Sequence, residues 1–154
     1  KAFAPKSTWA FLFDSFRRLL ARVTPQFWSL LLAVQCLILI LWTGLLANVD
    51  GSFWFGDQSI QVAWIVFNSL LATGLFSLSA LLKVQHATAP RLSMFLAGAT
   101  LTDFVLSTVQ AISLHGQVEG WTAVFVSMGI LGPAIATVIL WCISIGTARR
   151  TLRR

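Results

Sequence analysis

A chain of 154 residues that is 57% hydrophobic and 10% charged, with a mean hydropathy of +0.82, carries more apolar surface than a soluble domain of its size could bury. A lipid bilayer is its natural solvent, and little length remains for a second domain. The net charge of +6 does not point to nucleic acid, because the bases sit beside the ends of apolar runs, where anionic lipid headgroups attract them.

Residues 1–26 come first. Ser7–Thr24 reads as an amphipathic helix with Trp9, Leu12, Phe13, Phe16, Leu19, Leu20 and Val23 on one side and Asp14, Arg17, Arg18 and Arg22 on the other. Ser7 or Thr8 caps its start and Pro25 ends it. A basic, aromatic-rich helix of this kind lies flat among headgroups, with Arg17, Arg18 and Arg22 anchoring it to the membrane surface. The alternative is that Trp9, Phe13 and Phe16 dock on a partner subunit.

Four apolar runs follow, Phe27–Ala47, Ile60–Leu82, Leu92–Leu114 and Trp121–Gly146, each with the roughly 20 residues a helix needs to cross ~30 Å of hydrocarbon. The runs are continuous rather than alternating, which argues against a β-barrel and leaves helices, the form that satisfies every amide within its own segment. Short connections make neighbouring spans antiparallel. The first run is too long for a signal h-region and no small-residue cleavage site follows it, so a cleavable signal is not expected, although a leading Lys points to a trimmed start.

All eleven Lys and Arg residues lie before the first run, between the second and third, or after the fourth. The other two connections carry only Asp50, Asp57 and Glu119. Cytoplasmic loops retain Lys and Arg, so both termini are expected inside, with the basic tail 148–154, including Arg149 and Arg150, as a membrane-surface anchor. Trp28 and Trp141 then mark the inner interface and Trp54 and Trp121 the outer one, with Trp64 just below it and Trp42 deeper. In the outer loop, Phe53, Trp54 and Phe55 stand between Gly51 and Gly56. They dip back into the interface or form a patch for another protein.

Asp103 is the one ionisable residue within a span, at the centre of the third. A central carboxylate costs roughly 2.5–3.5 kcal/mol on insertion scales, so it should face the bundle interior, be protonated, or both. Thr100, Asp103, Ser107 and Gln110 share one helical stripe, and depth arithmetic brings Gln35, Asn68 and Gly132-Pro133 to a similar level. Pro133 releases the carbonyl of Gly129 from its helical bond. Two readings of this midplane polar site of Asp103, Gln35, Asn68 and Gln110 stay open. In one, a hydrogen-bonded network fixes helix packing, at ~0.6 kcal/mol per contact. In the other, Asp103 binds a proton, a cation or a polar substrate group, as transporter midplane sites do. No Lys, Arg or His within the spans can pair with it. Rows of small residues, Ser69-Thr73-Ser77 and Gly132-Ala136, read as packing surfaces, mostly within the bundle.

Other chemistry is thin. Cys36 and Cys142 lie at different depths, so no disulfide is expected. His86 falls in an inner loop and His115 at the outer end of the third span, too far apart to share a metal. Ala111 and His115 have the spacing that lets a chlorin approach a helix, and pigment at His115 is the weaker reading beside a capping histidine. No nucleophile, base and orienting group converge, so no catalytic residue is assigned. Motifs of known four-helix membrane enzymes and transporters are missing, among them Cys-x-x-Cys and a first-span glutamate. The layout is similar to the small subunit of tripartite periplasmic transporters, whose Trp-x-Glu-Glu segment this chain lacks.

The expected fold is therefore an all-α membrane protein with four transmembrane helices, both termini inside, and an interfacial N-terminal helix. The expected role is a non-catalytic accessory or scaffolding subunit of a larger complex in a bacterial inner (plasma) membrane. It would use no cofactor or metal, and its partners would be other integral subunits and anionic lipids. The alternative is a small oligomeric transporter or channel using Asp103.

Overall fold

The computed structural model describes residues 15–16, 19–20, 22–48, 57–113 and 120–151, leaving out the side chains of 121, 122, 125 and 149–151. Among the described residues there are helices and no strands. They are α1 (Pro25–Asn48), α2 (Gln58–Lys83), α3 (Ala89–Ser113) and α4 (Trp121–Thr151). All four are long and apolar enough to cross a membrane, α4 over Val126–Ala148.

Capping chemistry explains why three helices begin two or three residues before the apolar runs do. Thr24 precedes α1, and its Oγ1 accepts the Phe27 N–H at 3.3 Å, the usual reach from an N-cap to the third helical residue. Pro25 therefore opens a helix, because the first turn has no use for its missing N–H. At α2 the Asp57 carboxylate accepts the Ser59 N–H at 2.6 Å. Before α3, the Thr88 carbonyl accepts the Leu92 N–H at 3.0 Å, and the His86 ring holds the Thr88 hydroxyl at 2.8 Å. The turn from α2 to α3 is a Schellman motif. His86 N–H donates to the Leu81 carbonyl at 2.9 Å and Gln85 N–H to that of Leu82 at 3.2 Å, with Gln85 at φ 51°.

Two antiparallel hairpins result, α1–α2 and α3–α4, and they meet mainly where α2 touches α3. Small polar side chains stitch each hairpin. In the first, the hydroxyls of Ser29 and Ser79 lie 2.8 Å apart, Cys36 Sγ donates to the Ala72 carbonyl at 3.3 Å, and Gln61 Nε2 donates to that of Leu46 at 2.7 Å. In the second, Ser93 donates to the Leu140 carbonyl at 2.6 Å and Ser144 to that of Pro90 at 3.2 Å. Thr137 and Thr100 place their hydroxyl oxygens 2.8 Å apart. Between the hairpins, Gly74 lets Leu96 come so close that a Cβ there would stand 2.6 Å from Leu96 Cδ2.

The core is concentrated at one end of the bundle, where the chain enters α1, turns between α2 and α3, and leaves α4. Trp28, Leu32, Leu78, Leu82, Ala89, Leu140 and Ile143 are buried together there, and Leu20 joins them from the segment before α1. A Cβ on Gly146 would sit 3.5 Å from the Leu20 carbonyl oxygen, so this segment lies against the end of α4. We call this the closed end.

Two sequence expectations change. Ser69, Thr73 and Ser77 are exposed, each hydroxyl bonded to the carbonyl four residues back, so this row faces away from the bundle. A hydroxyl satisfied within its own helix needs no neighbour. Gly132 has open space around it, so this second row makes no close helix approach there, and both Gly132 and the half-buried Ala136 border a groove. Trp28, near the start of α1, has its side chain buried in the core, edge-on to Phe27 at a centroid distance of 5.8 Å, which concerns its packing and not its level along the bundle.

Candidate functional site

Away from the closed end the hairpins part, leaving a groove of about 1090 Å³. Its floor comes from α2 and α3 and carries the polar groups. Asn68 is 3% exposed, Thr100 1%, Asp103 6% and Ser107 7%, with Gln110 half-buried beyond them. Its rims are apolar side chains of α1 and α4. Val34, Ile38 and Leu45 stand on one side and Val124, Met128 and Ile135 on the other, all exposed. The groove thus opens along the flank of the bundle, between α1 and α4.

The helical stripe Thr100, Asp103, Ser107 and Gln110 lies on one face of α3 because its spacing follows the helical repeat, and that face turns into the groove. Packing of α3 against α4 fixes Thr100 through the Thr137 hydroxyl. Asp103 receives one hydrogen bond, from Ser107 Oγ to Oδ1 at 3.3 Å. This bond comes from its own helix and ties nothing across the bundle. Gln35 also lines the groove, and its Oε1 is buried without a hydrogen-bond partner.

Asp103, Asn68, Gln35 and Gln110 therefore do line one space, as their depths suggest. They do not form the expected packing network, since no hydrogen bond joins Gln35, Asn68 and Asp103 to one another. The side-chain bonds that join one helix to another come instead from Ser29, Ser79, Ser93, Thr137 and Ser144, with Cys36 and Gln61. Two groove residues escaped the sequence reading of a polar site: Trp42 and Trp64, both half-buried, flank it from α1 and α2. Their signal was present in their depth, deeper than the belt their neighbours occupy. Gly129, whose carbonyl Pro133 deprives of its helical donor, and Gly132 add a bare stretch of wall on α4.

The arrangement is an apolar groove with a few polar groups on its floor and wall. Asp103 and Gln35 present acceptors in an apolar surround, where an unpaired polar group is costly. Among the described lining residues there is a carboxyl, three amides and several hydroxyls, but no thiol, imidazole or amine. What the groove can do is accept a hydrogen-bond donor or a cation.

Other candidate residues fall elsewhere. Phe16 is exposed, as is Arg22, whereas Leu20 from the same row is buried and Val23 half-buried. Trp9, Phe13, Arg17, Arg18, Phe53, Trp54, Phe55 and His115 lie outside the described residues, as do the side chains of Arg149 and Arg150. Comparison with protein families, with curated proteins and with solved structures returned no match to this chain.

Proposed function

We propose that this chain is a non-catalytic accessory or scaffolding subunit of a larger integral-membrane complex. The observation that carries the reading is the groove. A four-helix chain that left an apolar, laterally open trough of about 1090 Å³ over a buried carboxyl would be incomplete alone, and another subunit supplies what it lacks. The bonding pattern supports this, because Gln35, Asn68 and Asp103 face the groove without a hydrogen bond to one another. In this reading both termini are cytoplasmic, following the Lys and Arg distribution, and the segment before α1 rests on the inner leaflet of a bacterial inner membrane. Mass spectrometry of the intact particle, extracted from its native membrane in mild detergent, tests it. Unrelated membrane subunits in fixed stoichiometry are expected, and a particle made of this chain alone would overturn it.

A second reading is favoured by one observation, the opening of Asp103 and Asn68 onto the groove. A small oligomeric transporter or channel would use them as a midplane binding site. It predicts a particle of identical chains whose proton or cation flux disappears with Asp103→Asn.

A further inference from the structure

We infer that the groove seats one transmembrane helix of a different subunit, and that this helix brings a Lys or Arg side chain to Asp103. The inference rests on the subunit reading and adds the partner's chemistry to it.

Charge complementarity carries the argument. Asp103 is buried at the groove floor, and its one hydrogen bond comes from a neutral hydroxyl 3.3 Å away. Gln35 Oε1, on the adjoining wall, is a buried acceptor with no donor. Both ask for N–H groups. The chain has no Lys or Arg between Arg22 and Lys83 or between Arg91 and Arg149, so none of its own spans carries a base at this depth.

Dimensions select a helix. The α1 wall runs from Leu31 to Leu46 and the α4 wall from Ala123 to Ile139, which at 1.5 Å per residue is about 22–24 Å of helix. That length is most of a hydrocarbon core of ~30 Å. The rims are exposed all along it, whereas a small-ligand site encloses about 70–90% of its ligand. Other occupants fit less well. A second copy of this chain has its bases only at helix ends: Arg91, the base nearest Asp103 on α3, is twelve residues or about 18 Å away along the axis. A lipid carries its cation at the surface, not at the depth of Asp103. A row of polar groups from Thr100 to Gln110, about 15 Å long, also matches a partner running alongside α3 rather than a compact molecule.

Photo-crosslinking in the native membrane tests this. Benzoylphenylalanine is placed at Ile38 and at Met128 on opposite rims, and at Phe76 and Phe95, exposed positions outside the groove. The expected result is one adduct common to both rim positions, with a protein other than this chain. Its crosslinked peptide should map to a single transmembrane helix holding a Lys or Arg near its middle. Asp103→Asn should lower the adduct yield at least tenfold at an unchanged level of the chain. Asp103→Lys combined with an Asp at the partner's base should restore it to within twofold. A second variant guards against a folding defect. Gly132→Leu adds bulk on the α4 wall of the groove, at a position where an added Cβ meets nothing within 4 Å, and should also cut the yield tenfold.

Adducts of lipid or small-molecule mass, adducts with a second copy, or a partner helix lacking a base would each overturn the inference. So would a yield indifferent to Asp103→Asn and Gly132→Leu. If Phe76 or Phe95 captures another subunit and the rims do not, the groove assignment falls and the subunit reading stands. If the intact particle holds this chain alone, both fall.

Discussion

At the residue scale, Ser29 and Ser79 show how the bundle is held. Both are buried, their hydroxyl oxygens are 2.8 Å apart, and Ser79 Oγ donates to the Ser29 carbonyl at 3.0 Å. In an apolar medium such bonds average ~0.6 kcal/mol with a ceiling near ~1.7, because helices apart in the membrane find other partners. Ser79→Ala is expected to destabilise α1–α2 by about 0.6–1.7 kcal/mol, with most of that lost again in a cycle with Ser29→Ala, measured by unfolding in mixed micelles. Gln85 gives a prediction of opposite sign. It holds the left-handed position of the Schellman turn at φ 51°, which glycine adopts without strain from a Cβ. Gln85→Gly should stabilise the chain by about 0.5–1 kcal/mol in the same assay. Asp57 supplies a pH dependence. Hydrogen bonds from the Ser59 hydroxyl and N–H hold its carboxyl below the usual range. A lowered native value means the cap is fully present above the unfolded value of 3.8 and is lost as pH falls through the native one. The Ser59 amide resonance should therefore move on acidification in the native chain and stay still in Asp57→Asn, which caps without titrating.

At the scale of elements, the number and placing of the helices are legible in the sequence because bilayer thickness imposes run length. Their ends are less so. A hydropathy run cannot register Thr24, Asp57 or Thr88, whose capping side chains or carbonyls lie outside the apolar stretch. Pairing was hidden for a different reason. Ser29 and Ser79 are 50 residues apart, and a serine whose hydroxyl can return to its own helix looks the same in sequence as one that crosses to another. That ambiguity misassigned Ser69, Thr73 and Ser77 as an internal packing row. The true close approach is a single glycine. Gly74 meets Leu96 at the main junction between hairpins, so bulk there acts on the joint and not within either pair. Leu96 is 3% exposed and has little space to retreat. Gly74→Ile is expected to cost about 1–3 kcal/mol by overpacking. Gly98→Ala, with nothing within 4 Å, is the control expected to be neutral or better.

For the whole molecule, the depths of Asp103, Asn68 and Gln35 were readable, whereas the space between them was not. Run length fixes how deep a residue lies, but the splay of two hairpins follows from where large side chains pack. Here Leu20, Trp28, Leu32, Leu78, Leu140 and Ile143 fill one end, and among the described residues no equivalent set bridges α1 to α4 at the other. The bundle is thus clamped at one end and parted at the other, and the groove is the opening. Such a shape predicts unequal freedom along its length. The α1–α4 spacing should be narrowly distributed near Phe27 and Trp141 and broad near Leu45 and Val124, since only the first pair flanks the shared core. Spin labels on cysteines at these exposed positions would measure both distributions in reconstituted membranes. Cys142→Ser clears one native thiol, and Cys36→Ser clears the other while keeping a donor for the Ala72 carbonyl. Occupation by a partner helix should sharpen the distribution at the open pair and leave the closed pair as it was. A change at both ends would mean that the hairpins pivot as rigid bodies through the closed end, which Leu20 and its neighbours would have to release. A change at neither would mean that the open end is already as rigid as the core, and that the groove is a fixed seat rather than a gap awaiting its occupant.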